Sequence, residues 1–155
     1  VSKSATQDLW SPWLHTAIVT WKNSDWEIMI THADQLSWNV VEKPLKDYLS
    51  RFDGIDIAVT KTKKWDKVAE NAKKYLGKPY SVTKMFLSGW TWIDPYKISW
   101  DWMFCSEVVL KTLIETTNLT KEEVNKNWWD PKEIFRYTDA KYATSLDLTS
   151  KKSEK

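Results

Sequence analysis

The 155-residue chain holds one cysteine and two histidines, and these three side chains carry most of the chemistry that its sequence offers. Cys105 lies in "MFCSEVV", between an aromatic residue and what reads as the first turn of an apolar helix. A thiol acts as a nucleophile when it is ionised, when a base takes and returns its proton, and when a third polar group orients that base. The start of a helix supplies a dipole and unpaired backbone N–H groups that favour an anion. That setting lowers a thiol pKa, and the same N–H groups can hold the oxyanion of acyl transfer. His15 then reads as the base and His32 as its orienting partner. Taken singly each residue has a plainer reading, since free cysteine is among the most buried residue types and a strand histidine more often serves packing. Their coincidence is what points to catalysis.

The elements that must position them are legible in outline. "LHTAIVTW" (14–21) and "WEIMITHA" (26–33) are rich in β-branched and aromatic residues and flank the polar "KNSD", which predicts a hairpin. A connection this short sets Trp21 opposite Trp26, Val19 opposite Ile28, Ala17 opposite Ile30 and His15 opposite His32. Opposed β-carbons lie roughly 4.5 to 5.5 Å apart, so the two imidazoles share a face and can touch. A one-residue slip would separate them. "PLKDYLSRF" has Leu45, Tyr48, Leu49 and Phe52 at helical spacing before Gly54, and "IDIAVTK" (55–61) reads as a third strand. The clearest helix opens at Trp65, with Val68, Ala69, Ala72, Tyr75 and Leu76 on one stripe, and stops at Gly77 before Pro79. Residues 81–102 are aromatic but irregular in period and read as a partly helical excursion. Val108, Val109, Leu110, Leu113 and Ile114 then mark a buried helix that starts at Cys105, and "TKEEV" and "DPKEIF" carry the start signals of two short closing helices.

Composition narrows the function classes. A chain of this length fits one domain, expected over residues 1–145, with 146–155 as a polar tail ending in a frayed "KKSEK". The 23 basic and 21 acidic side chains nearly cancel and form no long basic block, so nucleic acid is not an expected partner. One cysteine permits no internal disulfide, and with two histidines no thiolate-rich zinc site, so neither a metal nor a cofactor is expected. No run approaches the roughly 18 apolar residues of a membrane span and no signal peptide is visible, so membrane contact is not indicated. Opening at Val1 instead of methionine suggests a processed chain, which leaves the compartment undetermined. The twelve tryptophans read either as packing or as a platform for sugar, lipid or peptide.

The order "HTAIV", "ITHA", "LGKPY", "FCSEVV", "DPKEIF" resembles the circularly permuted papain-like amidases, the YiiX-like branch of the NlpC-type cysteine peptidase superfamily, in which histidine precedes cysteine. The resemblance covers roughly residues 13–135. It implies that His15 is the base, that His32 holds the orienting position, that Cys105 is the nucleophile and that Tyr80 of the glycine-x-proline-tyrosine turn lines the site. The sequence departs from the pattern in three places: Asp8 has no glycine beside it, Ser81 stands where aspartate is frequent, and His32 stands where glutamate is common.

The expected protein is an α+β domain, a small antiparallel sheet packed against the cysteine-bearing helix in a permuted papain-like core. The expected activity is that of a cysteine hydrolase of the amidase or peptidase class, cleaving an amide or ester through Cys105, His15, His32 and an acyl-enzyme. Trp13, Trp102 and Ser106 join Tyr80 as expected substrate-lining residues, and a peptide, a peptidoglycan fragment or an acyl compound is the expected substrate. Two rivals stand beside it. An acyltransferase or thioesterase on the same fold, like the lecithin:retinol acyltransferase relatives, would use Trp13, Trp90, Trp92 and Trp102 against an acyl chain, and a non-catalytic module would use its tryptophans for binding.

Overall fold

β1 (Ile18–Lys22), β2 (Ile28–Asp34) and β3 (Asn39–Pro44) form an antiparallel sheet in that order, in a computed structural model that describes residues 15–51, 54–60, 62–90, 93–127, 129 and 131–147. Asp8, Trp13, Trp92 and the "KKSEK" end lie outside the described residues, as does the side chain of Trp90. The predicted hairpin forms in a different register. Val19 faces Ile30 instead of Ile28, Ile18 faces Thr31, and beyond an irregularity between Val19 and Trp21 the pairs are Trp21 with Met29 and Lys22 with Ile28. The cause is the turn. The Asn23 side chain accepts the backbone N–H groups of Asp25 and Glu27, and Trp26 takes a left-handed φ of 62°, so the loop closes on Lys22 and Ile28. At the Val19 end the slip is two residues, an even number, which leaves side chains on their expected faces. His15 precedes β1 and lies outside any strand.

β2 is the central strand, buried from Ile30 through Asp34, with helices α1 (Leu45–Leu49) and α4 (Cys105–Thr116) both packing against it. Covering both faces is what allows this strand to bury His32 and Asp34. β3, unanticipated in the sequence, has its outer edge taken by the chain itself. Helix α2 (Trp65–Lys73) is followed by a turn ending at Gly77, whose φ of 86° suits a residue without a Cβ. The next residues then bond β3: Gly77 N–H to the Val40 carbonyl (2.9 Å), Val40 N–H to Lys78 (2.8 Å) and Tyr80 N–H to Trp38 (2.9 Å). On its other side this splice bonds Met103, through Met103 N–H to Pro79 (2.8 Å) and Ser81 N–H to Met103 (2.9 Å). "GKPY" therefore ties the sheet to the residues that lead into Cys105.

The excursion contains α3 (Val82–Trp90) and a 3₁₀ turn at Pro95–Lys97. α4 is the core helix. Phe104, Val108 and Leu110 pack with Ala33, Val40, Tyr80, Met103, Val124 and Trp129, while Val109 and Leu113 pack with Ile18, Val68 and Ala72. α5 (Lys121–Asn127) starts with the reciprocal cap that "TKEEV" predicts, Glu123 N–H to Thr120 Oγ1 and Thr120 N–H to the Glu123 carboxylate, both 3.2 Å. From Pro131 on, "DPKEIF" forms a 3₁₀ segment, Pro131–Tyr137, and its expected cap Asp130 lies outside the described residues. The "third strand" is β4 (Gly54–Thr60), but it pairs with the unanticipated β5 (Thr138–Asp147) in a separate two-stranded sheet. The fold is mixed α+β, and no helix among the described residues is long and apolar enough to cross a membrane.

Candidate active site

Cys105 is the first residue of α4, 2% exposed. Burial pushes its thiol up to about 11, against the pull of the backbone N–H groups of Thr16, Ser106 and Cys105 itself and of the Ser106 side chain. The helix mouth thus acts in the expected direction, but the expected net lowering does not occur. A thiolate withdrawn from water loses more hydration than these donors return. The Thr16 contact brings the chain beside His15 onto the sulfur.

His15 Nε2 lies 2.9 Å from His32 Nδ1, with the rings edge-on at 88° and centroids 5.1 Å apart. His32 is fully buried, and its Nε2 has no hydrogen-bond partner. A neutral imidazole has one N–H and one lone pair, so the bond can be made by either of two tautomer pairs. Tyr48 packs on both rings, 5.1 Å from His15 and 4.6 Å from His32, and is backed by the Arg51 guanidinium 4.7 Å from its own ring. Arg51 in turn bonds Asp34 at 3.0 Å, two residues along β2 from His32, and Lys43 reaches the same carboxylate at 3.3 Å. Burial pushes the Asp34 carboxyl up, but hydrogen bonds from Ser37, Arg51, the Leu36 N–H and Lys43 outweigh it and hold the group well below the usual range. Its charge favours protonated His32, but burial first, and then Arg51 and Lys43, act against it.

Both imidazoles are held neutral. Burial lowers His15 to about 3, aided by His32 and Arg51 against Asp34, and burial lowers His32 to about 4, with Asp34 opposing and Arg51 and Lys43 assisting. Because these folded-state values lie below the ordinary 6.5, the unfolded chain takes up protons that the folded chain refuses as pH falls. The histidine contribution to stability is therefore complete above pH 6.5 and lost as pH falls from there, to about pH 4 for His32 and about pH 3 for His15. Asp34 adds its own loss only below its ordinary value of 3.8. Denaturant unfolding should show about 2–4 kcal/mol less stability at pH 5 than at pH 7.5; a flat profile over that range would contradict the buried neutral pair.

The other expected residues divide. Tyr80 is buried, its hydroxyl 3.5 Å from Met85 Sδ and its ring 6.2 Å from Trp38; burial, then the nearby Cys105, raise its pKa. Ser106 is 1% exposed and donates to the Trp129 carbonyl at 2.6 Å, so it anchors α4 from within the core and does not line an open surface. Trp102 is exposed and lines an open depression of about 360 Å³ with Ser81, Thr83 and Trp100. The tryptophans serve both readings: Trp129 is buried with its indole N–H on Asn125 (2.8 Å), whereas Trp26, Trp38, Trp65, Trp100 and Trp102 are exposed.

Sequence reasoning missed the supports. Tyr48 passed for one member of an apolar stripe, and Asp34 sits on the strand parity of His32, the one signal that could have found it. Beneath the cysteine is a buried charge cluster. Glu107, fully buried, holds Lys84 (2.7 Å) and Lys111 (2.6 Å), while its other oxygen takes the Phe104 N–H at 3.4 Å. Lys84, 2% exposed, also donates to the Trp102 carbonyl at 3.0 Å. A lysine in the otherwise apolar "VTKMFLSGW" and a glutamate at the third position of the cysteine helix were the available signs.

A comparison with curated proteins gives no match. Among solved structures the chain is similar to one from Escherichia coli O157:H7 described as the metalloprotein yiiX, at 20% identity and a TM-score of 0.57, over 94% of this chain and 91% of that one. This likeness bears on the fold, and it agrees with the sheet and helix arrangement described above. Residues 2–150 match the family model described as permuted papain-like amidase enzyme, YaeF/YiiX, C92 family. With that match spanning nearly the whole sequence, and with histidine preceding cysteine as the permuted order requires, the chain belongs to the permuted papain-like amidase family.

Proposed function

We propose that the protein is a cysteine hydrolase that cleaves an amide or ester bond through Cys105, His15 and His32. The observation that carries this reading is the 2.9 Å bond between the two imidazoles, made where the Thr16 N–H meets the Cys105 sulfur. With His15 Nε2 engaged by His32, the proton from Cys105 goes to His15 Nδ1. His32 Nδ1 then accepts the Nε2–H of the imidazolium, which fixes His32 as the Nε2–H tautomer. Because the thiol is raised and the imidazoles are lowered, the resting pair is neutral and the proton leaves sulfur as the S–C bond forms. The Cys105 N–H at the helix mouth stabilises the oxyanion, the leaving amine or alcohol takes the proton from His15, and water activated by His15 releases the acyl group.

The neighbouring E. coli structure is described as a metalloprotein, but among the described residues here no three histidine, cysteine, aspartate or glutamate side chains converge as ligands. The two histidines bond one another, so no step is routed through a metal. The substrate we propose is a peptide, a peptidoglycan fragment or an acyl compound, its apolar part beside Trp100 and Trp102.

Acid-quenched mixtures of the protein with a panel of amino-acid p-nitroanilides and p-nitrophenyl esters should contain an acyl adduct on Cys105 by intact-mass and peptide analysis. Absence of both adduct and product across the panel, with substrate fragments still bound in calorimetry, would favour the non-catalytic module.

A further inference from the structure

Tyr48 is in contact with both imidazoles, edge-on to His32 at 71° and tilted 50° to His15, yet no role in the chemistry proposed above requires it. It sits in α1 and is 8% exposed, and burial, then the nearby Cys105, raise the pKa of its phenol. Its outer face meets Arg51, which is itself tied to buried Asp34, so the ring is gripped between a cation and two histidines. Resting on the hydrolase reading, we propose that Tyr48 is a positioning residue that holds the two imidazoles in their edge-on hydrogen-bonded arrangement and shields the pair from water.

Three observations support this. An N–N bond between two neutral rings survives only where water does not compete for the same lone pair. His32 Nε2 lies in a buried place with no partner, which a ring laid over it would produce. Burial is also the leading cause of the low pKa of each histidine, so whatever covers them sets their charge. The other charged groups facing the pair are Asp34 on β2, Lys43 on β3 and Arg51 after α1, while Cys105 on α4 meets the Thr16 N–H beside His15 and lies near Tyr48 and Tyr80. Of these, Asp34 and the two cations answer one another, which leaves the Tyr48 ring as the removable part of the shield.

The protein has two histidines, so its imidazole ¹⁵N spectrum contains two ring systems, read in the full chain without substrate. Between pH 8 and 5 both rings should stay neutral in the wild type and in Tyr48→Phe, which keeps the ring. In Tyr48→Leu the midpoint of at least one should rise by about two pH units toward the ordinary value, which brings its protonation into this window. Where turnover is measurable, the acid limb of kcat should move with it. A Tyr48→Leu titration like the wild type overturns the assignment, as does a Tyr48→Phe shift as large as that of leucine. Should leucine prevent folding by circular dichroism, Tyr48→Met, nearer in volume, carries the same test, and failure of both to fold marks Tyr48 as core packing and overturns the role. Loss of the hydrolase reading would appear separately, as absent turnover in the wild type with the leucine-induced rise in midpoint still present.

Discussion

Cys105→Ala should abolish turnover, and His15→Ala should lower it by at least about 10²–10⁴, each with the fold retained. The two losses should not add. Once the nucleophile is gone the base has no proton to take, so the double variant should match Cys105→Ala within error. The resting charges sharpen this expectation. A thiol raised to about 11 has almost no thiolate at neutral pH, so this cysteine depends on its base more than one already ionised would. His32→Ala should cost less than His15→Ala, because it removes an orienting bond and leaves the base in place. Retained activity in purified Cys105→Ala or His15→Ala, with a normal melting transition, sinks the mechanism.

Glu107→Gln should be the most destabilising single change at the site's periphery, by about 3–5 kcal/mol, and should lower Tm by roughly 6–20 °C. The carboxylate is fully buried and compensates two ammonium groups, one of them 2% exposed. Glutamine keeps the shape and removes the charge, which strands Lys84 in a place where burial already lowers its pKa. Lys84→Met should cost less, because Glu107 retains Lys111. Replacing both, as Lys84→Met with Glu107→Leu, should recover much of the loss, since an apolar pair of similar volume often matches a buried ion pair. Activity should not recover in parallel, because Lys84 Nζ holds the Trp102 carbonyl and Glu107 holds the Phe104 N–H, the two fixtures on either side of Met103 that aim α4. A Glu107→Gln melting temperature within two or three degrees of the wild type, on the order of 1 kcal/mol, would show the cluster to be solvated.

Most of what is local in this molecule was readable. Gly77 closes the turn after α2, four residues past the helix end at Lys73, Thr120 and Glu123 cap α5 as a pair, and the apolar face of "CSEVVLKTLI" marks the core helix because 3.6-residue periodicity needs no tertiary information. The two histidines do touch, but the register that predicted it was wrong by two residues. The even slip kept the parity of the paired residues, while His15 lies ahead of β1 and reaches His32 from outside the ladder. What could not be read depends on long-range partners. β4 looks like any strand and pairs with β5 some eighty residues away; the thiol's charge depends on burial, which overrides the helix dipole visible in the sequence. Tyr48 and Asp34 acquire their places from what β2 stacks against.

The splice of Gly77 to Tyr80 along β3 also bears on how a substrate can be held. Extended peptides are often captured by adding themselves as a further strand to an open sheet margin, drawing affinity from main-chain bonds that ignore side-chain identity. From Trp38 to Val40 that margin is already occupied by the protein's own backbone. Recognition on this side therefore falls to side chains, and selectivity should follow the shape and chemistry of the group beside the scissile bond more than the length of peptide attached to it.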